Sequence, residues 1–456
     1  MVATLTRRTP PGPRGHPILG SVVDIQRDNV QTFMDAFRRY GDIVHFRGPL
    51  TFNLLIHPDY VKHVLHDNNR NYQRPTFVSD KLKTIVGDGL VANEGDVWLR
   101  SRRLAQPAFH RQKIAAFATM MTDTTAEMLD SWQRRPAGER FDIKSAMMHL
   151  TLTNLAKALF KADWGKHVGK LEPAVAVALS QTFTRLTSPI DPQRFPLPGT
   201  RRFNDALETL DQVIYPMIAE RRRTASADDK PDLMTLLIQA RDEETGDVLN
   251  DRQVRDEVTG FFIAGHETVS SALTWTWYLL SMNPEAWYRV VAEVQEVLGD
   301  RTPTMDDLPR LEYITMVLNE SMRLYPPIWV LMRSPLEDDQ VGGYDLPAGS
   351  TVVLCPYVTH RHPAFWENPE GFDPERFTPE RSANRHRMAY FPFAAGPRKC
   401  VGESFAMMEL QLVVAMVVQR FRLDLVPGQL VFPQPTISLR PRDPLLMVAR
   451  PVNGTK

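Results

Sequence analysis

The chain has 456 residues, 43% of them hydrophobic, enough to bury a large core in one big enzyme fold or in two or three smaller domains. Lys+Arg and Asp+Glu are equal at 54 each, so no global field favours nucleic acid or an anionic membrane, and a charged partner must be met by a local patch. Two cysteines exclude a disulfide framework and fit a reducing cytoplasm, and no apolar run is long enough to span a bilayer.

Residues 1–17 read as a flexible, proline-rich N-terminus, with Arg7 and Arg8 but no apolar signal or anchor segment before Pro10-Pro11-Gly12-Pro13. The β-rich runs at residues 43–46 and 52–56 flank Arg47-Gly48-Pro49-Leu50 and predict a hairpin, with a helix after Pro58. Residues 71–93 mix proline, glycine and polar side chains with Phe77, Leu82, Ile85 and Val86, which predicts a loop that lines a pocket. Residues 95–104 then place Trp98 and Arg102 four apart on one helix face, which taken alone reads as a solvated basic face packed on a tryptophan. Between residues 171 and 223 two helical stretches are parted by the proline-rich segments 188–192 and 196–199, a mobile connection, and residues 221–231 read as a polar linker.

Asn250 with Gln253 predicts a capping-box start for a long helix, whose periodicity runs to about Met282 before Asn283-Pro284 stops it. Inside it, Ala264-Gly265-His266-Glu267-Thr268 puts Ala264, Gly265 and Thr268 on one face. The Thr268 hydroxyl is expected to bond the Ala264 carbonyl four residues back, and an acid in so apolar a stretch suggests proton handling. His266 is given no role. Further on, Glu320-Ser-Met-Arg323 is by spacing alone an ordinary surface pair. It is followed by Leu324-Tyr325-Pro326-Pro327 and by Phe372-Asp373-Pro374-Glu375-Arg376-Phe377.

Phe391-Pro-Phe393-Ala394-Ala-Gly396-Pro-Arg398-Lys399-Cys400-Val-Gly402 runs into an apolar helical segment that ends near Phe421. A lone cysteine is ordinarily a small buried hydrophobe. A thiol at a helix entrance instead meets the positive end of the helix dipole, which favours the thiolate, and a thiolate there can ligate iron. Zinc is disfavoured, because Cys355 is the only other cysteine and no His/Cys cluster completes four ligands. Gly396 and Gly402 are read as leaving room for a tight turn and for a flat cofactor.

The pattern Phe393-x-x-Gly396-x-Arg398-x-Cys400-x-Gly402-x-x-x-Ala406 resembles the haem-binding loop of the cytochrome P-450 family of haem-thiolate monooxygenases, and the other motifs follow in that family's order. Many members carry glycine where this chain has Ala394. The resemblance implies a single domain over residues 1–456, mainly α with a smaller β region, with haem b between the long helix and the cysteine loop. It implies Cys400 as iron ligand, Trp98, Arg102 and Arg333 as propionate partners, and Phe393, Gly396, Arg398, Gly402, Ala264 and Gly265 around the haem. Thr268 and Glu267 would serve oxygen activation, while Glu320, Arg323 and Arg376 would form a buried ion network.

The implied reaction inserts one atom of O2 into a small apolar substrate, such as a lipid, terpenoid, steroid or polyketide-like molecule. Electrons would come from NAD(P)H through a separate ferredoxin or flavodoxin with its reductase, none being fused to the chain. A soluble, bacterial-type, cytoplasmic monomer without a membrane anchor is expected, with no nucleic-acid partner. Phe77, Leu82, Ile85, Val86, Leu179, Phe183, Phe262, Ile328, Val330 and Ile437 are the expected pocket residues. Arg100, Arg103, Arg111, Lys113 and Lys399 are expected to form a basic patch for an acidic electron donor. A peroxygenase or isomerase and a non-catalytic haem sensor are the rival readings.

Overall fold

The computed structural model describes residues 8–49, 51–160, 170–171, 173–178, 180–181, 185, 199–224, 232–242 and 244–452. In chain order, helix α1 (Asn29–Tyr40) leads into the strands β1 (Ile43–Phe46) and β2 (Phe52–Leu55). A short strand β3 (Tyr72–Gln73) precedes helices α2 (Thr76–Val86), α3 (Gly95–Ala105) and α4 (Ala118–Gln133). Strand β4 (Arg140–Asp142) opens α5 (Ile143–Phe160), and α6 (Thr200–Thr224) and the long α7 (Asp251–Met282) follow. Next come α8 (Pro284–Val297), α9 (Glu312–Leu324) and strands β5 (Leu331–Pro335), β6 (Asp339–Val341), β7 (Tyr344–Leu346) and β8 (Thr351–Leu354). The C-terminal part holds α10 (Glu403–Arg420), β9 (Phe421–Leu425), β10 (Pro433–Pro435), β11 (Leu439–Pro441) and β12 (Leu446–Pro451).

The chain folds as two compact units, the first formed by residues 1–76 and 319–400, the second by residues 77–318 and 401–456. In the first, five strands run in the order β1-β2-β8-β5-β3. The expected hairpin is its edge, with Ile43 opposite Leu55 and Phe46 opposite Phe52, and β2 is continued in parallel by β8. Leu55, Val352 and Leu354 from this sheet are buried with Val61, Leu65 and Phe391, so the strands rest on the start of the cysteine loop. That shared core fixes the loop from below.

The second unit is helical. α5 lies along α7, and α10 packs on α4, α8 and α7. The expected capping box is present: the Asn250 side chain accepts from Gln253 N–H while the Gln253 side chain accepts from Asn250 N–H, two otherwise orphaned donors. The helix then continues to Met282 with Asn283 as its cap. Residues 71–93, expected as a loop, contain the eleven-residue helix α2, closed by Gly87 at φ +59°. A three-stranded sheet β4-β12-β9 and the hairpin β10-β11 complete the unit, and β11 packs on α7. Among the described residues, no helix is long and apolar enough to cross a membrane.

Candidate active site

α7 is buried along most of its length, yet its middle opens: Ala264 is exposed, and Ile263, Gly265 and Thr268 are half-buried. Thr268 Oγ1 donates to the Ala264 carbonyl at 2.8 Å, the bond expected from the spacing of four. Behind this window α5 presses close. A Cβ on Gly265 would lie 2.8 Å from Leu155 Cδ2, so a larger residue here would have to displace the end of that leucine side chain. Thr151 Oγ1 of α5 donates to the His266 carbonyl at 3.0 Å, and His266 Nδ1 lies 2.9 Å from the Phe262 carbonyl. His266 is therefore a core residue, and burial pushes its pKa below the usual range.

Glu267 is only 6% exposed. Its Oε1 accepts from Ser438 Oγ at 2.8 Å, and its Oε2 is buried with no hydrogen-bond partner among the described residues. Burial pushes this carboxyl up, opposed by the Ser438 hydroxyl and by the charge of Arg440. A polar hydroxyl and a buried acid thus neighbour an apolar opening in a helix, an arrangement suited to moving protons out of contact with bulk water.

In the first unit, Cys400 N–H donates to the Phe393 carbonyl at 2.9 Å and Lys399 N–H to the Gly396 carbonyl at 3.1 Å, folding the loop back on itself. The Cys400 side chain is exposed. Cys355, by contrast, is buried, donates to the Trp329 carbonyl at 3.2 Å, and has its thiol pushed up to about 12 by burial, so it stays a thiol. Gly396 sits at φ +67°, where a Cβ would lie 1.8 Å from the Leu65 carbonyl oxygen. Its glycine requirement therefore comes from the positive φ and from the backbone of Leu65 packed against it. Gly402 caps α10 at φ −88°, ordinary backbone, and Phe393 and Arg398 are half-buried.

The three ion-network residues are brought together, all buried. Arg323 grips Glu320 bidentately, Nε to Oε2 at 2.6 Å and Nη2 to Oε1 at 2.8 Å, while Arg376 Nε donates to Oε1 at 3.3 Å. The guanidiniums also bind backbone: Arg323 the carbonyls of His360, Pro369 and Gly371, Arg376 those of Glu367 and Asn368. Asp373 N–H donates to Glu320 Oε1 at 2.9 Å. One carboxylate therefore pins the irregular stretch from residue 360 to residue 376. Arg333 on β5 is 7% exposed and its Nη1 donates to the Met332 carbonyl at 2.8 Å. Ile328 and Val330 are half-buried on either side of buried Trp329, so they share the opposite face of an extended segment.

Trp98 and Arg102 are both half-buried on α3, and Arg102 Nε donates to Gln106 Oε1 at 3.1 Å. Ile85 and Val86 are packed in a cluster with Ala92, Ala178 and Phe203, with Leu82 at its edge, and Phe262 is buried against the rings of Phe160 and His266. Phe77 is 36% exposed and Ile437 half-buried. Leu179 and Phe183 lie outside the described residues, as does the connection at 186–198; of the linker expected at 221–231, residues 221–224 are instead the end of α6 and the rest lies outside the described residues. The expected basic patch is smaller than charge counting implied. Arg103 pairs with Asp242 at 3.1 Å and with Glu244 at 2.7 Å, and Arg100 with Asp247 at 3.3 Å, so these cations are neutralised locally. Arg111 and Lys113 remain exposed.

Three polar features carried no motif. Asp256 Oδ2 accepts from Asp88 N–H at 2.9 Å and Glu257 from Leu90 N–H at 3.0 Å, fastening the turn after α2 to α7. Burial pushes Glu257 up to about 7. On α10, fully buried Glu409 is pushed up to about 8 by desolvation and accepts from Asn154 Nδ2 of α5 at 2.9 Å. The third is Ser438. An acid in an apolar helical run is the signal that finds Glu409; Glu257 sits in a charged stretch, and no local signal pairs Ser438 with Glu267.

The donor set fits an iron porphyrin. Within the first unit an exposed thiol stands on a backbone-fixed loop together with Arg398 and buried Arg333, the thiol and cationic donors that an iron porphyrin calls for. Among the described residues no group of three or more His, Cys, Asp or Glu side chains is placed to hold a metal ion.

The comparisons with known proteins define a haem-dependent oxidoreductase. Residues 10–448 match the cytochrome P450 family model. The chain is 38% identical over 446 residues to a cyclooctatin synthase of Streptomyces melanosporofaciens, covering 96% of this chain and 95% of that one. It is 36% identical to a cyclooctat-9-en-7-ol 5-monooxygenase of the same organism, covering 93% and 91%. The crystal structure of the cytochrome P450DA heme domain superposes with a TM-score of 0.90 at 27% identity, covering 98% of this chain and 99% of that one. The chain belongs to the cytochrome P450 family: it is a haem-dependent monooxygenase, and it requires O2, an organic substrate and a source of electrons.

Proposed function

We propose that this monooxygenase hydroxylates an apolar, carbon-rich cyclic molecule of the terpenoid kind. The observation that carries the reading is the opening in α7, where Ile263, Ala264 and Gly265 present an apolar surface with one hydroxyl, Thr268, and a buried acid, Glu267, beside it. An apolar wall accepts a hydrocarbon skeleton and excludes water, and the lone hydroxyl supplies the polar contact. The relatives support the substrate class: one is named for 5-monooxygenation of cyclooctat-9-en-7-ol, an unsaturated alcohol. Half-buried Ile328, Val330 and Ile437 are further apolar lining candidates.

Cys400 Sγ would ligate the haem iron, with Arg398, Arg333, Trp98 and Arg102 as donors to the propionates and Phe393, Gly402 and Ala264 against the ring. When bound, haem supplies the reductive activation of O2 at a thiolate-ligated iron. Thr268 holds its hydroxyl on the Ala264 carbonyl and can turn it toward a bound ligand. Glu267 stores a proton away from bulk solvent, because burial favours its neutral form. Arg323 and Arg376 act at a distance, by holding residues 367–373 through Glu320 and the backbone. Electrons come from NAD(P)H through a separate ferredoxin or flavodoxin and its reductase, and the enzyme works as a cytoplasmic monomer.

The test is the absorption spectrum of the dithionite-reduced, carbon monoxide-bound protein beside Cys400→His. A strongly red-shifted Soret band, lost in the variant, is expected; an imidazole-type band in the wild type would sink the ligand assignment. Titration with terpenoid alcohols should then displace iron-bound water and shift the ferric band to the blue, whereas fatty acids and steroids should do so less. Turnover with a surrogate ferredoxin system separates this reading from a haem sensor, which would give no product, and from a peroxygenase, which would need peroxide.

A further inference from the structure

Glu267, Ser271 and Trp275 are spaced four apart on α7 and form one stripe, and all three bond to two consecutive residues at the end of the hairpin β10-β11. Ser271 Oγ and Trp275 Nε1 donate to the Leu439 carbonyl at 2.5 and 2.8 Å. Ser438 Oγ donates to Glu267 Oε1 at 2.8 Å. The Ser438 carbonyl accepts from Thr436 N–H at 3.0 Å and from Thr436 Oγ1 at 2.9 Å. The backbone that presents the Ser438 hydroxyl is thus fixed on both sides, and the residue has no solvent exposure. Two bonds to Leu439 already hold the hairpin on the helix, so anchoring alone does not call for a third aimed at a carboxyl. The carboxyl's other oxygen, Oε2, is buried with no hydrogen-bond partner among the described residues.

We infer that Ser438 is a positioning residue for Glu267: its hydroxyl holds Oε1, orients the carboxyl, favours its charged form, and leaves Oε2 as the oxygen that exchanges a proton. The inference deepens the proposed function and rests on it, since there Glu267 is the acid that stores the proton. A donor on Oε1 stabilises carboxylate over carboxylic acid and so opposes the effect of burial. The other groups around it leave Ser438 the main adjustable influence. Arg440 of the same hairpin lowers the carboxyl through space. His266 beside it on α7 is biased by burial to its neutral form, and Glu409 of α10, which packs on α7, is bonded to Asn154 of α5.

The test is an infrared titration of the haem-loaded protein, in which subtraction of Glu267→Gln from wild type isolates the carboxylic C=O stretch of Glu267. In Ser438→Ala the titration midpoint should rise by about one pH unit, a tenfold change in the protonation equilibrium, because a hydrogen bond to a charged group is lost. The band should also move to higher frequency, and Ser438→Thr, which keeps a hydroxyl, should restore both. A midpoint and band in Ser438→Ala equal to wild type would overturn the inference. Should the alanine protein not fold, Ser438→Cys, similar in volume but a weaker donor, should give a smaller shift in the same upward direction, and its absence is equally decisive. The parent reading fails separately. If Glu267→Gln keeps NAD(P)H oxidation coupled to product while the Ser438→Ala midpoint still rises, Glu267 is not the proton store, yet Ser438 does govern its carboxyl.

Discussion

Ala394 adopts φ +59°, in the left-handed region where a Cβ costs about 1–2 kcal/mol. The position thus has a glycine's backbone with an alanine in it, six residues before the thiol. Ala394→Gly should relieve that strain and lose part of the gain to the greater freedom of glycine in the unfolded chain, for a net stabilisation of about 0.5–1 kcal/mol. Chemical denaturation of the two proteins measures it, and a destabilised glycine variant would refute the strain argument. At this scale the sequence was legible wherever a bond is local. The Thr268 hydroxyl meets the Ala264 carbonyl because four residues make one helical turn. The segment 436–439 can be read as reaching the pocket, but the bond of Ser438 to Glu267 cannot, because the two lie 171 residues apart and nothing local marks a serine as a partner. Gly396 is legible as the glycine of a tight turn, which its φ of +67° matches, but not its close approach to Leu65. The Leu65 carbonyl occupies the space a side chain would need.

Among the elements, α7 was readable from end to end, since its capping box and its Asn283-Pro284 stop are written in adjacent residues. α2 was not, because its closing Gly87 and the neighbouring proline and polar residues are also loop signals; the positive φ at Gly87 shows the glycine acting as a helix stop. The Glu320–Arg323 pair shows what context adds to spacing. On a surface it would contribute little, but both side chains here are fully buried, and with Arg376 they hold a stretch that has almost no regular structure of its own. Glu320→Gln leaves two buried guanidiniums without their carboxylate and should cost about 3–5 kcal/mol, read as a drop in thermal midpoint and in haem retained on purification. Replacing exposed Arg38, whose ion pairs with Asp35 and Glu370 lie at the surface, should change stability by less than about 0.5 kcal/mol. Equal losses in the two variants would show that burial of the network does not matter.

For the whole molecule, a formal net charge of zero means that stability against pH is governed by a few buried groups rather than by overall repulsion. Glu257 and Glu409 are pushed up to about 7 and about 8. From the ordinary glutamate value up to those values the folded chain keeps protons that the unfolded chain has released, so each carboxyl lowers stability as pH rises through that window. His266 and His360 act in the opposite sense. Burial depresses both, His360 to about 3, so the unfolded chain binds protons that the folded chain does not, and stability falls as pH drops below the ordinary histidine value of 6.5. Below pH 6.5 these slopes oppose one another. Above it only the carboxyl slopes remain, at about 1.4 kcal/mol per pH unit for each group still titrating. Stability should therefore fall by about 2–3 kcal/mol between pH 6.5 and 8, measured as urea midpoints by far-ultraviolet circular dichroism. In Glu257→Gln/Glu409→Gln, where neither position can ionise, the fall over the same interval should be much smaller, with only the raised carboxyls of Glu267 and Glu293 left to contribute. Parallel curves for variant and wild type would mean that both carboxyls already ionise at their ordinary values, and that the apolar packing around α7 and α10 does not isolate them from water.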